Sequence, residues 1–100
     1  MGINKETIKE LAKTNDSWYN ICKLIEELNE LSTALTQKLT KTHDDAGINE
    51  NIIEELGDVK YRMKIFIESE DISKQAIKER IAEKLGKCSK HLKEGKYKNV

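Results

Sequence analysis

The chain has 100 residues, of which 36% are charged and 37% hydrophobic, with no proline, five glycines and a formal net charge of zero. This length allows one domain and is too short for two ordinary ones. No apolar run approaches the roughly 20 residues of a membrane span, and the N-terminal segment lacks the apolar core of a signal peptide, so we expect a cytoplasmic protein without a membrane partner.

The apolar residues recur every three or four positions, which is the spacing of amphipathic helices. This spacing predicts four helices, over residues 5–13, 17–40, 49–68 and 74–92. Polar stretches separate them at residues 14–16, 41–47 and 69–73, and we expect a frayed tail at 94–100.

The predicted fold is one all-α domain covering residues 1–100, a bundle of four to five helices built on an antiparallel hairpin of the second and third helices. Two apolar stripes are expected to face each other in this hairpin: Ile21, Leu24, Leu28, Leu31, Leu35 and Leu39 on the second helix, and Ile52, Leu56, Val59, Met63 and Phe66 on the third. Because the hydrophobic fraction is low, we expect the core to be completed by oligomerisation, as a homodimer or a homotetramer.

The charges are distributed unevenly along the chain. Residues 1–71 carry nine Lys or Arg against fifteen Asp or Glu, whereas residues 72–100 carry nine against three. An acidic and a basic helix that attract each other would explain this pattern, and so would a metal site that faces a polyphosphate site. Nucleic acid is not an expected partner, because the basic tail contains one aromatic residue, Tyr97, and no binding module.

Two acidic pairs stand out, Glu27 with Glu30 and Glu55 with Asp58. Residues three positions apart lie on the same side of a helix. In an antiparallel hairpin about residues 41–47 the two pairs are level within about one helical turn, so the four carboxylates converge.

Like charges at close range need a cation, and an all-oxygen ligand set favours Mg²⁺ or Mn²⁺. A di-iron bundle would need Glu-x-x-His pairs, but Thr40 and Cys88 stand three residues before His43 and His91. Acidic pairs of this kind are also common on solvated helix faces, and the residues alone leave both interpretations open.

The stretches "KLIEELNELSTA" and "EELGDV" resemble the MazG-like nucleotide pyrophosphohydrolases of the all-α NTP pyrophosphatase superfamily. The family motif is ExxE followed by ExxD, which here are separated by 24 residues, and the resemblance covers residues 18–97. The chain departs from the family at Gly57, where alanine is usual, and in the last helix, where Cys88 and His91 stand at positions that many members fill with Asn and Arg.

The resemblance implies Mg²⁺-dependent hydrolysis of a nucleoside triphosphate to the monophosphate and pyrophosphate, with Mn²⁺ as a possible substitute. It implies that the metal-binding and catalytic residues are Glu27, Glu30, Glu55 and Asp58. Which group activates the attacking water stays open.

Candidates for substrate binding are Lys84 and Lys87 on the last helix, Tyr61 after the ExxD motif, and Trp18 and Lys23 before the ExxE motif. Trp18 can stack on a base, although the only tryptophan of a small helical protein is more often in the core. Two alternatives to the proposed activity are a non-catalytic helical oligomer or adaptor with a degenerate site, and a phosphoribosyl-ATP pyrophosphatase.

Overall fold

The computed structural model describes residues 2–40 and 45–95, with side chains described for 5–40 and 47–95. These residues form four helices: α1 (Gly2–Thr14), α2 (Ser17–Thr40), α3 (Asp45–Ser69) and α4 (Lys74–Lys93). The prediction of an all-α fold is therefore confirmed for this part of the chain. None of the four helices combines the length and the apolar character that crossing a membrane requires.

The break predicted at residues 14–16 is confirmed for residues 15 and 16, since α1 includes Thr14. A side-chain cap marks the start of α2. The Asp16 carboxylate accepts a hydrogen bond of 2.8 Å from the backbone N–H of Tyr19. An aspartate in this position satisfies one of the backbone donors that the first turn of a helix leaves unpaired.

The break predicted at 69–73 is confirmed for residues 70–73, since α3 includes Ser69. Asp71 has a φ of 51°, in the left-handed region, and its N–H donates to the Glu68 carbonyl while the N–H of Ile72 donates to the Ile67 carbonyl. These two bonds are those of a Schellman motif, which ends α3. Ser73 then caps α4 by accepting a 3.0 Å hydrogen bond from the Ala76 N–H.

The loop predicted at 41–47 is wrong for its last three residues, because α3 already begins at Asp45 and includes Gly47. One glycine in a helix costs only about 1 kcal/mol relative to alanine, and the buried Ile48 that follows anchors this turn. Residues 41–44, with His43, lie outside the described residues. At the other end the chain is described as far as Gly95, whose φ of 69° ends α4, and the rest of the predicted frayed tail, 96–100, lies outside the described part.

Helices α2 and α3 form an antiparallel hairpin, and α1 packs on α3. Near one end of the hairpin, Asn20 Nδ2 donates to Ser69 Oγ at 3.0 Å. Near the other end, Lys38 Nζ donates to Asn49 Oδ1 at 2.9 Å. Because the start of α2 meets the end of α3 and its end meets the start of α3, the register is the one that the sequence predicts.

The core of the single chain is small. Among the described residues its buried apolar members are Ala12, Ala34, Ile48, Val59 and Ile65. The expected stripes are only partly covered, because Leu28, Leu35, Leu39, Leu56 and Met63 remain exposed. Trp18 is 76% exposed, so the expectation that it belongs to the core is wrong for the single chain.

Helix α4 packs far less against the rest of the chain than the other three helices do. No residue of α4 is fully buried. Its apolar stripe is exposed and consists of Ile77, Ile81, Leu85 and Leu92. An ion pair of 2.7 Å between Lys74 and Glu68 ties the start of α4 to the end of α3.

Candidate metal centre

Three carboxylates meet in the seam between α2 and α3. Glu27 of α2 and Glu55 and Asp58 of α3 each contribute an oxygen, and these oxygens all lie within 4.8 Å of one another. The antiparallel register brings the middle of α2 beside the middle of α3, and the three-residue spacing of Glu55 and Asp58 turns both toward α2.

The two glutamates are held in the seam in a way that an ordinary solvated face does not show. Glu27 and Glu55 are half-buried, whereas Asp58 is exposed. The Oε2 atoms of Glu27 and Glu55 are shielded from solvent and have no hydrogen-bond partner among the described residues. A shielded carboxylate oxygen without a partner is costly unless a cation or a proton compensates it.

The negative charges in the seam lie close together and raise the pKa values of its two glutamates. Burial raises the pKa of Glu27, and the Glu30 carboxyl beside it and the charges of Asp58 and Glu55 act in the same direction. Burial likewise raises the pKa of Glu55, followed by the charges of Glu30 and Asp58. The charges that shift the pKa of these two groups come from other carboxylates, so the described residues do not supply a neutralising charge to the cluster.

Glu30, the fourth predicted ligand, lies close enough to act on both Glu27 and Glu55. It is exposed, and it is not one of the three residues whose oxygens come together within 4.8 Å. The structure therefore brings together three of the four predicted carboxylates, and the fourth stands at their edge.

The predicted substrate-binding residues on α2 lie at the start of the helix. The Lys23 ammonium pairs with Glu26 at 3.2 Å and lies 5.7 Å from the centre of the Tyr19 ring. Trp18 is exposed to solvent. Lys23 is therefore already engaged on its own helix.

The predicted contribution of the last helix does not reach the carboxylates in the single chain. Lys84 and Lys87 are exposed, and neither is among the charges that shift the pKa of Glu27 or Glu55. The reason is that α4 stands apart from the α2–α3 seam. The predicted Tyr61 is on α3, where it lines a cleft beside α1.

Two residues at the contact between α2 and α3 did not emerge from the sequence as site candidates, Arg62 and Asn20. Arg62 is half-buried, and its guanidinium carbon lies 5.9 Å from the Tyr19 ring centre and 5.2 Å from that of Tyr61. Its position four residues after Asp58 was the available signal, because that spacing also puts two side chains on one helix face. Asn20 is buried, and its Oδ1 has no hydrogen-bond partner among the described residues. The sequence does not indicate that this asparagine is buried, because a single polar residue on a helix is more often exposed.

The donor set fits a hard divalent cation. Carboxylate oxygens are the ligands that Mg²⁺ and Mn²⁺ prefer, and a dication would compensate the unpartnered Oε2 atoms of Glu27 and Glu55.

No protein-family model, curated protein or solved structure matches this chain. The acidic motifs and the geometry of the seam are therefore the features that bear on function.

Proposed function

We propose that the protein is a Mg²⁺-dependent nucleoside triphosphate pyrophosphohydrolase of the MazG-like type, in which Mn²⁺ can replace Mg²⁺. The observation that carries the proposal is the pair of shielded, unpartnered Oε2 atoms of Glu27 and Glu55, which adjoin Asp58 in one cluster. These residues belong to the ExxE and ExxD motifs that resemble that family.

In this proposal Glu27, Glu55 and Asp58 hold the cation, and Glu30 lies beside them. The bound cation would neutralise phosphate charge and stabilise the pyrophosphate leaving group. Water attacks the α-phosphorus, a new P–O bond forms, and the bond to the β-phosphate oxygen breaks, which releases pyrophosphate and the nucleoside monophosphate. A carboxylate of the cluster would accept the proton of the attacking water.

We further propose that the active form is a homodimer or a homotetramer in the cytoplasm, where nucleoside triphosphates are made. Exposed apolar residues on α2 and α4 support assembly, among them Leu39 and Leu85. The charge difference between the acidic residues 1–71 and the basic residues 72–100 favours contact between these parts of different copies. Such contact would also bring Lys84 and Lys87 toward the substrate of a neighbouring copy.

The test is pyrophosphate release from a panel of ribo- and deoxyribonucleoside triphosphates and phosphoribosyl-ATP, with Mg²⁺ or with EDTA. We expect release that requires Mg²⁺ and falls at least about a hundredfold in Glu55→Gln. Glu54→Gln is the matched control, since it makes the same change at the neighbouring, exposed position and should keep most of the activity. Release confined to phosphoribosyl-ATP would identify the sibling reaction instead.

A non-catalytic helical oligomer is the second candidate, and the exposed apolar stripe of α4 favours it. It predicts that no substrate of the panel releases pyrophosphate although the protein is folded and oligomeric. It also predicts that Glu55→Gln is harmless, because neutralising one carboxylate only relieves repulsion in the cluster.

A further inference from the structure

A cleft of about 870 Å³ lies between α1, α3 and the start of α4. Half-buried apolar side chains from two helices form its floor, Ile8 and Leu11 of α1 and Ile67 of α3. Its volume falls within the roughly 300–1,000 Å³ that is usual for small-molecule sites.

The cleft is separate from the carboxylate cluster. Gly57 lines the cleft, and Glu55, two positions earlier on α3, belongs to the cluster. Successive residues of an α-helix point about 100° apart, so these two positions face nearly opposite sides of α3. A ligand in the cleft therefore does not occupy the proposed metal site.

The walls of the cleft are positively charged. Four lysines from three helices line it: Lys5, Lys60, Lys64 and Lys74. The one acidic residue in the lining, Glu68, is bound by Lys74 at 2.7 Å, and the hydrogen bond from Lys74 lowers the pKa of Glu68, with the charges of Lys9 and Lys5 adding to the effect. Lys5, Lys60 and Lys64 make no ion pair with the described residues, so three ammonium groups are available to an anion.

The cleft also offers an aromatic surface and free space. Tyr61 lines it and is 43% exposed. No atom lies within 4 Å of the position that a Cβ on Gly57 would occupy, apart from the neighbouring residues and the local helix backbone. A flat ring can therefore lie beside Tyr61 over the bare backbone at Gly57.

We propose that this cleft binds an organic phosphate that carries an aromatic or heterocyclic ring, the class to which nucleoside phosphates belong. An inorganic anion would use the lysines and leave the apolar floor uncovered, and a neutral ring would leave the lysines without a counter-charge. A ligand with both parts matches the whole lining. The site shares no residue with the carboxylate cluster, and Tyr61 is the one candidate substrate-binding residue that lines it.

Calorimetric titration with ATP in EDTA tests the site, with the Glu55→Gln variant as the protein so that neither metal nor turnover contributes. We expect saturable binding of ATP, and binding of adenosine and of inorganic triphosphate that is each at least about tenfold weaker. Absence of ATP binding overturns the proposal. Equal affinity for inorganic triphosphate overturns it as well, because the ring and the apolar floor would then contribute nothing.

Two substitutions in the same background locate the ligand. Lys64→Glu and Gly57→Leu should each weaken ATP binding by about tenfold or more. The matched controls are Lys78→Glu and Gly86→Leu on α4, which make the same changes outside the cleft, Gly86 having the same open surroundings as Gly57. Circular dichroism verifies that all four variants fold. Equal losses in the variants and their controls would show that ATP binds elsewhere and would overturn the proposal.

Discussion

Glu27 and Glu55 have raised pKa values because burial and neighbouring carboxylates disfavour their charged forms. The folded chain therefore binds more protons than the unfolded chain in the pH range above the ordinary glutamate pKa of 4.5. The stability that this difference contributes is fully present below that value and is lost as the pH rises through the raised pKa values.

This linkage predicts how Glu55→Gln affects stability without a divalent cation. As the pH rises above 4.5, the variant should gain stability relative to the wild type, because glutamine does not acquire the repelling charge. Urea denaturation in EDTA at several pH values measures the difference. Glu50→Gln serves as the control, because Glu50 is exposed on α3 and is not among the charges that shift the pKa of Glu55. The Glu68–Lys74 pair has the opposite pH dependence. The lowered pKa of Glu68 adds stability above pH 4.5, and this stability is lost as the pH falls. Because the wild type and the variant both contain this pair, it does not affect the difference between them. A difference that does not change with pH would contradict the account.

At the residue scale, the sequence predicted the positions of the carboxylates better than the packing of the side chains between the helices. The motif spacing and the hairpin register were sufficient to place Glu27, Glu55 and Asp58 together. The burial of Asn20 and the position of Arg62 between two tyrosine rings depend on side-chain packing between helices. Periodicity predicts which face of a helix a residue occupies, but it does not predict which residues of other helices pack against that face.

At the scale of elements, Asp71 holds the Schellman turn between α3 and α4 with a φ of 51°. This left-handed conformation costs a residue with a Cβ roughly 1 kcal/mol, and glycine adopts it without that cost. We therefore expect Asp71→Gly to raise the free energy of unfolding by about 1 kcal/mol and Asp71→Val to lower it. Thermal and urea denaturation would measure both, and a destabilising Asp71→Gly would show that the aspartate side chain matters more than the backbone.

The observed helix starts agree with the sequence at α2 and α4 and differ from it at α3. Asp16 and Ser73 are caps, and the starts of α2 and α4 lie where these residues predict them. The start of α3 lies earlier than predicted, because glycine at position 47 costs the helix only about 1 kcal/mol relative to alanine and does not end it.

At the scale of the whole molecule, the chain exposes more surface than a compact monomer of its size. Its accessible surface is 8050 Å², whereas a folded monomer of 11.5 kDa exposes about 5,800 Å². The excess is comparable with the area that one subunit buries in a permanent dimer. Exposed apolar residues of α2 and α4 contribute to this excess. The sequence does not predict which of them the chain itself covers, because periodicity does not distinguish a face covered by the same chain from one covered by another copy.

The excess surface predicts an oligomer in solution. Light scattering during gel filtration should give a mass of at least twice 11.5 kDa. Leu85→Asp, at a residue that is 64% exposed on the α4 stripe, should shift the protein toward the monomer, because it places a charge in an apolar contact. Ala76→Asp, on the opposite side of α4, is the control and should leave the mass unchanged. A wild-type protein that is monomeric at all concentrations would contradict the prediction.

The most direct test of the central claim is calorimetric titration of the wild-type protein with Mn²⁺, alongside Glu55→Gln and Glu54→Gln. If the seam between α2 and α3 holds a divalent cation, the wild type and Glu54→Gln will bind Mn²⁺ with similar affinity, and Glu55→Gln will bind it at least about tenfold more weakly. A wild-type protein that does not bind Mn²⁺, or three proteins that bind it equally well, would show that the carboxylate cluster is not a metal site.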